Sequence, residues 1–290
     1  MMAAGRRIPG DAAAASARAA AESVIVALDV ATAEEADALL ARLDGAVRTV
    51  KVGMQLFYAA GPAYIASLKA RGLAVFLDLK GHDIPNTVKG AMESLTRLGV
   101  DMVTVHAAGG RAMLEAARAG VERALTPGQR RPLLLAVTVL TSIDARTLNE
   151  EIGVPGGVEE AVLRYALLAR EAGCDGVVAS AREVPAVKAS CGPAFVAVTP
   201  GIRPAGAARG DQARAVTPAD AIRRGADFLV VGRPVTAAPD PRAAYERVVA
   251  EVAGALENRE AGIAVQGAER ADGGERQGRA SRRHARGNGA

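Results

Sequence analysis

The sequence predicts an α/β fold, a (β/α)8 TIM barrel formed as a single domain by residues 22–257, with disordered tails at 1–21 and 258–290. Eight short apolar or β-branched runs alternate with longer amphipathic stretches, and strands separated by helices pair in parallel because a parallel pair needs a long crossover. Polar residues recur at the C-terminal ends of those runs: Asp29, Lys51, Asp78 with Lys80, His106, Thr141, Arg203 and Arg233. Closing the sheet gathers these ends at one rim, where barrel enzymes keep their active sites. The alternative, a doubly wound open sheet, would carry a glycine-rich turn after its first strand. Here that strand leads into Leu28-Asp29-Val30-Ala31-Thr32.

Residues 1–21 are Ala-rich, low in complexity and too weakly hydrophobic to specify packing. Val24–Val30 is the first strand-like run, followed by the helical pattern Ala33–Leu43. Thr49–Gly53 carries Lys51 and precedes the helical Gly61–Arg71, beneath which Met54 and Phe57 are expected to pack. Ala74–Lys80 is third, then helical Thr87–Leu98; Met102–His106 is fourth, then helical Arg111–Leu125. Leu133–Leu140 leads into Thr141-Ser142 and helical Val158–Ala172. Gly176–Ser180, Ala194–Thr199, helical Pro218–Arg224 and Phe228–Gly232 complete the pattern. Gly72, Gly99, Gly173 and Gly225 each stand directly after a helical stretch, the usual glycine position past a helix C-terminus.

The formal net charge of +4 is carried by the ends. Residues 1–21 hold three Arg and one Asp, and residues 259–290 hold seven Arg and four acids, which leaves the middle at −1. A near-neutral body with basic, Gly- and Ala-rich ends argues for solvated tails and against a nucleic-acid face. Aromatics are only 3%, with no Trp, so none are interleaved with the charges and the core must be aliphatic. Cys174 and Cys191 show neither CxxC nor metal-ligand spacing and read as reduced thiols of a cytoplasmic protein. Arg6-Arg7 lacks the apolar segment of an export signal, and no stretch is long and uncharged enough to span a membrane. His82, His106 and His284 are too dispersed to suggest a metal site.

Asp78-Leu79-Lys80-Gly81-His82-Asp83 is the most informative segment. Strand alternation puts Asp78 and Lys80 on one face, and His82, past the turn that Gly81 marks, is given a structural role. A charged pair on an inner face is costly unless compensated or functional. A rim salt bridge would satisfy the pair alone, but Lys51 and Asp29 arrive from the neighbouring strands, making an alternating array that holds protons in place. A lysine fenced by carboxylates stays protonated, as a general acid delivering a proton to carbon requires. His106 is expected to hydrogen-bond behind this array. Thr199-Pro200-Gly201-Ile202-Arg203 closes the seventh strand and Gly232-Arg233-Pro234 the eighth, the two positions where barrels commonly bind phosphate. Glycine lets backbone N–H groups approach an anion and arginine adds charge-assisted bonds, while the amide of Gln212 could fold over the phosphate as a lid.

Asp78-x-Lys80-x-x-Asp83, Leu140-Thr141-Ser142, Pro200-Gly201-Ile202-Arg203, Gly210-Asp211-Gln212 and Gly232-Arg233 stand in the order found in orotidine 5′-phosphate decarboxylases, which the chain resembles from about Ser23 to Ala253. The resemblance implies a homodimer that converts orotidine 5′-monophosphate to UMP and CO2, the last step of pyrimidine synthesis, with no cofactor and no metal. It implies Lys80 as proton donor to C6, Asp78 against the departing carboxylate, and Asp83 reaching into the partner subunit's site. Asp29 and Lys51 resemble the ribose-binding pair, Lys51 also belonging to the catalytic array, and Thr87 resembles a ribose contact from the partner subunit. Thr141 and Ser142 resemble the pyrimidine contacts, and Arg203, Gln212, Gly232 and Arg233 the phosphate grip. The Asp-x-Lys-x-x-Asp motif is shared with 3-keto-gulonate-phosphate decarboxylases and hexulose-phosphate synthases, a Mg²⁺-dependent sister group with an acidic residue where this chain has Lys51. A third reading is a catalytically dead nucleotide-binding barrel, against which the intact Asp78, Lys80 and Asp83 argue. The Arg-rich C-terminal extension is no part of the barrel pattern.

Overall fold

The computed structural model describes residues 9–204 and 216–259. Eight parallel strands close in sequence order: β1 (Val24–Ala27), β2 (Thr49–Gly53), β3 (Ala74–Gly81), β4 (Met102–His106), β5 (Leu133–Val137), β6 (Gly176–Val178), β7 (Val196–Thr199) and β8 (Phe228–Val231), with β8 back on β1. Around them lie α1 (Pro9–Ser23), α2 (Ala33–Leu43), α3 (Met54–Ala70), α4 (Pro85–Arg97), α5 (Gly110–Ala124), α6 (Val158–Glu171), α7 (Val184–Cys191), α8 (Pro218–Arg223), α9 (Arg233–Thr236) and α10 (241–259). The expected barrel and all eight expected strand positions are present.

Strand alternation divides the apolar residues into two cores. Ile25, Phe76, Met102, Leu135, Val198 and Val230 fill the barrel interior, while Val26, Leu77, Val103 and Val177 face outward and pack against the helices. The scarcity of aromatics shows in the lumen, where a single fully buried ring, Phe76, lies among aliphatic side chains. The four glycines expected to stop helices all have positive φ, 77° at Gly72, 71° at Gly99, 84° at Gly173 and 99° at Gly225, a conformation L side chains rarely adopt.

The N-terminal ends of β4, β6 and β8 share one device. Asp101, Asp175 and Asp227 each precede their strand, and each accepts a hydrogen bond from a backbone N–H of the preceding strand: Val75 (2.8 Å), Leu134 (2.8 Å) and Ala197 (2.7 Å). Each also pairs with a cation from the helix layer: Lys69 (2.5 Å), Arg118 (2.5 Å) and Lys188 (2.6 Å). Charge-assisted bonds of this kind contribute about 1.5–3 kcal/mol apiece, and at this end of a barrel they serve stability.

Part of the expected N-terminal tail is ordered. Pro9–Ser23 forms a helix, because its alanines have the highest helix propensity and Ala20 finds a fully buried place against the barrel. The helix after β2 starts at Met54, earlier than the pattern suggested, so Met54 stands exposed on its first turn and Phe57 packs only partly against the core. Gly61, at φ 68°, kinks that helix ahead of Pro62. α10 continues to residue 259, past the expected domain end at 257. Residues 260–290 and 205–215 lie outside the described residues.

Candidate active site

The C-terminal mouth gathers a charged wall from β1 to β4. Lys51 of β2 and Asp78 of β3 both point inward, and each side chain is only 11% exposed. Asp78 is the centre of the array. Its Oδ2 accepts from Lys80 Nζ at 2.8 Å and lies 3.9 Å from Lys51 Nζ, while its Oδ1 accepts from Thr104 Oγ1 at 2.9 Å. Lys51 Nζ in turn donates to Asp29 Oδ1 at 2.8 Å. The order Asp29, Lys51, Asp78, Lys80 therefore alternates in sign, which offsets the desolvation of two nearly buried charges.

Lys80 is held by an unusual backbone. Its φ is +53°, and the β3–β4 register shifts between Leu77 and Gly81. Such a conformation in a non-glycine residue costs on the order of 1–3 kcal/mol and persists only where its surroundings impose it. Thr104 supplies part of that constraint, since its Oγ1 accepts the Lys80 N–H at 2.9 Å while donating to Asp78. Sequence reasoning missed Thr104 as a functional residue. A threonine inside Met-Val-Thr-Val-His reads as a β-former, and only its inward, wholly buried position gives it away.

The opposite wall is apolar. A cavity of about 180 Å³ lies against Lys51, Asp78 and Lys80, floored by Phe76 and Val230 and faced by Thr141. Of the expected pyrimidine contacts, Thr141 lines this cavity and Ser142 is exposed beside it. Arg203 follows β7, its Nη1 bonded to the Ile202 carbonyl at 2.9 Å. Its backbone N–H bonds to Val216 O at 2.9 Å, so the two ends of the segment carrying Gln212 are pinned together. Gln212 itself lies outside the described residues. Gly232 follows β8 and caps α9, of which Arg233 is the first, exposed residue.

Asp83 and Thr87 are not brought to the array within this chain. Asp83 is exposed in the loop after β3, its Oδ1 accepting the Ile84 N–H at 2.6 Å, and Thr87 is exposed on the first turn of α4. His82 is exposed and lies against His106 with ring centroids 5.5 Å apart. Burial, followed by His82 and Lys80, lowers the pKa of His106, opposed by Asp78. Cys174 and Cys191 are buried free thiols, and burial pushes Cys174 up to about 12. Among the described residues no His, Cys, Asp and Glu side chains group as a metal site, and no helix is long and apolar enough to cross a membrane.

The family model described as orotidine 5′-phosphate decarboxylase / HUMPS family matches residues 22–248. The chain belongs to this family. Among its relatives in the family, orotidine 5′-phosphate decarboxylase from Moorella thermoacetica is 56% identical over 232 residues, 80% of this chain and 92% of the relative. The protein of the same name from Halorhodospira halophila is 55% identical, over 80% of this chain and 96% of the relative. The crystal structure of orotidine 5′-phosphate decarboxylase from Lactobacillus acidophilus superposes with a TM-score of 0.72 at 43% identity, covering 79% of this chain and 98% of that one. The orotidine 5′-phosphate decarboxylase / HUMPS match begins at residue 22, so α1 lies almost wholly outside it.

Proposed function

We propose that this chain decarboxylates orotidine 5′-monophosphate to UMP and CO2 in pyrimidine synthesis, without a cofactor, with Lys80 as proton donor. The observation that carries the reading is the Asp29–Lys51–Asp78–Lys80 array against the apolar floor of the barrel mouth. The pyrimidine would lie on that floor with its C6 carboxylate against Asp78. Two carboxylates forced together disfavour the bound ground state, and the adjacent ammonium favours the charge that develops as the reaction proceeds. The C6–carboxylate bond breaks, its electron pair stays on C6, and CO2 departs. Lys80 Nζ then gives its proton to C6 and recovers one from solvent. Arg203, Gly232, Arg233 and Gln212 would hold the phosphate, whose binding energy helps to order the reacting end.

A homodimer supports the roles of the two residues that this chain leaves outside its own array. Asp83 and Thr87 project from the rim beside exposed Ile84, and exposed Met54 and Tyr58 stand at the start of α3 after the neighbouring strand. Apolar side chains exposed together on a rim mark an interaction surface. A second subunit covering it would bring its own Asp83 and Thr87 towards this site.

The other branch of the family acts on sugar phosphates with Mg²⁺. Lys51 argues against that branch, since its ammonium occupies the space between Asp29 and Asp78 where a divalent cation would need a third carboxylate. Purified full-length protein incubated with orotidylate and EDTA tests the choice. UMP formation unaffected by the chelator is expected; turnover that requires Mg²⁺, or occurs only with 3-keto-gulonate 6-phosphate, would overturn the assignment.

A further inference from the structure

The N-terminal mouth of the barrel, opposite the charged array, holds a larger cavity of about 650 Å³, within the range of small-molecule sites, roughly 300–1,000 Å³. Its floor is apolar and built from Met102, Leu133 and Phe228, the first residues of β4, β5 and β8. Its rim is cationic: Arg48 stands just before β2, Arg130 and Arg131 shortly before β5, and Arg18 comes from α1.

Charge balance separates these arginines. Arg18 pairs with Glu22 at 3.1 Å, and Arg131 with Asp175 at 2.8 Å and Glu122 at 3.3 Å. The other acid of the lining, Asp101, is taken by Lys69 and the Val75 N–H. Arg48 and Arg130 make no ion pair and no side-chain hydrogen bond among the described residues, and both are exposed. Residues at this end of a barrel ordinarily serve stability. Two like charges set around one cavity without counter-ions among the described residues repel each other and serve it poorly, whereas they match the charge of a polyanion.

The roof of the cavity comes from outside the stretch that the family model matches. α1, almost wholly outside the family match, is fixed beside the mouth by buried Ala20, by the Tyr245 hydroxyl donating to Ala21 O at 3.3 Å, and by Ser16 Oγ donating to Ala253 O at 3.4 Å. We propose that this cavity is a second ligand site, which takes a small organic phosphate. Its ring lies on the Met102–Phe228 floor and its phosphates accept charge-assisted hydrogen bonds from Arg48 and Arg130.

Isothermal titration calorimetry of the full chain at low salt, with ADP and separately with inorganic pyrophosphate, tests the proposal. ADP is expected to bind wild type and Arg233→Ala alike, and pyrophosphate more weakly than ADP. The double variant Arg48→Ala/Arg130→Ala, altered only at exposed side chains, is expected to lose at least tenfold in ADP affinity while its turnover of orotidylate stays at the wild-type rate. Equal affinity for pyrophosphate and ADP would remove the apolar floor from the site. Absence of ADP binding to wild type, binding untouched by the double substitution, or binding lost in Arg233→Ala instead would overturn the proposal, the last by placing the anion at the other mouth.

Discussion

Lys80 Nζ lies 2.8 Å from Asp78 Oδ2, and the backbone at Lys80 adopts φ +53° where the two side chains meet. A regular strand would place both residues on one face but leave the lysine free to extend towards solvent. Instead the chain departs from the ladder and the ammonium is turned back onto the carboxylate, beside the second lysine, Lys51, 3.9 Å from the same oxygen.

Thr104 joins the backbone and side-chain parts of this arrangement. Thr104→Val keeps the shape of the side chain but leaves the Lys80 N–H without its acceptor and Asp78 Oδ1 without a donor. Two lost hydrogen bonds, one to a charged group, correspond to about 2–4.5 kcal/mol. The variant is expected to unfold at lower urea concentration and to lose kcat by roughly tenfold or more with KM less affected, because the lysine is misplaced. Steady-state kinetics alongside urea unfolding checks both; wild-type kcat would refute the positioning role.

Arg233 is expected to act from the far end of the substrate. Arg233→Ala should lower kcat/KM by orders of magnitude even though the side chain is assigned no contact with the reacting carbon. A loss below about tenfold, roughly 1.4 kcal/mol, would discredit its assignment to the phosphate.

His106 gives stability a pH dependence of definite sign. Burial is the first cause that lowers its pKa from the ordinary 6.5, with His82 and Lys80 adding to it. The folded protein thus prefers the neutral ring. That contribution is complete above the unfolded value and is lost as pH falls from there through the lower folded value. The urea midpoint of the wild type should fall between pH 7.5 and 5.5, and His106→Asn should show a shallower fall. An equal fall in both would contradict this.

The Asp227 carboxylate holds β7 and Lys188 at once. Asp227→Ala removes the acceptor of the Ala197 N–H and leaves Lys188, its side chain 15% exposed, with only the Pro193 and Phe195 carbonyls. A loss of about 2–4 kcal/mol is expected on the scale for a broken, partly buried pair, measured by denaturant unfolding, with kcat unchanged because the residue lies at the opposite end of the barrel from the array. A change within 0.5 kcal/mol, the usual range for a surface site, would show that the device contributes nothing.

The closed barrel was legible because eight apolar or β-branched runs alternate with helical stretches, seven of the runs lead into a polar residue at the C-terminal end, and four of the helical stretches stop at a glycine. Asp78, Lys80, Lys51 and Asp29 could be grouped because neighbouring parallel strands share one rim. Besides Thr104, three features were not legible. The turn at Lys80 depends on a register shift, which no side-chain pattern encodes. α1 is hidden by its own composition, since an alanine-rich stretch looks the same whether or not a surface receives it, and Ala20 is buried only because the barrel is there. α7 is eight residues long, with Pro185 in its first turn and Gly192 directly after it, too short for a helical period to stand out.

The central claim is that the ammonium of Lys80, held by Asp78, protonates the carbon that loses CO2. The most direct test is the decay of orotidylate absorbance with purified protein in the presence of chelator, wild type against Lys80→Ala. The wild type should turn over fully and Lys80→Ala should lose at least the 10²–10⁴-fold typical of a removed general acid; a correctly folded Lys80→Ala protein that keeps its rate within tenfold of wild type would contradict the claim.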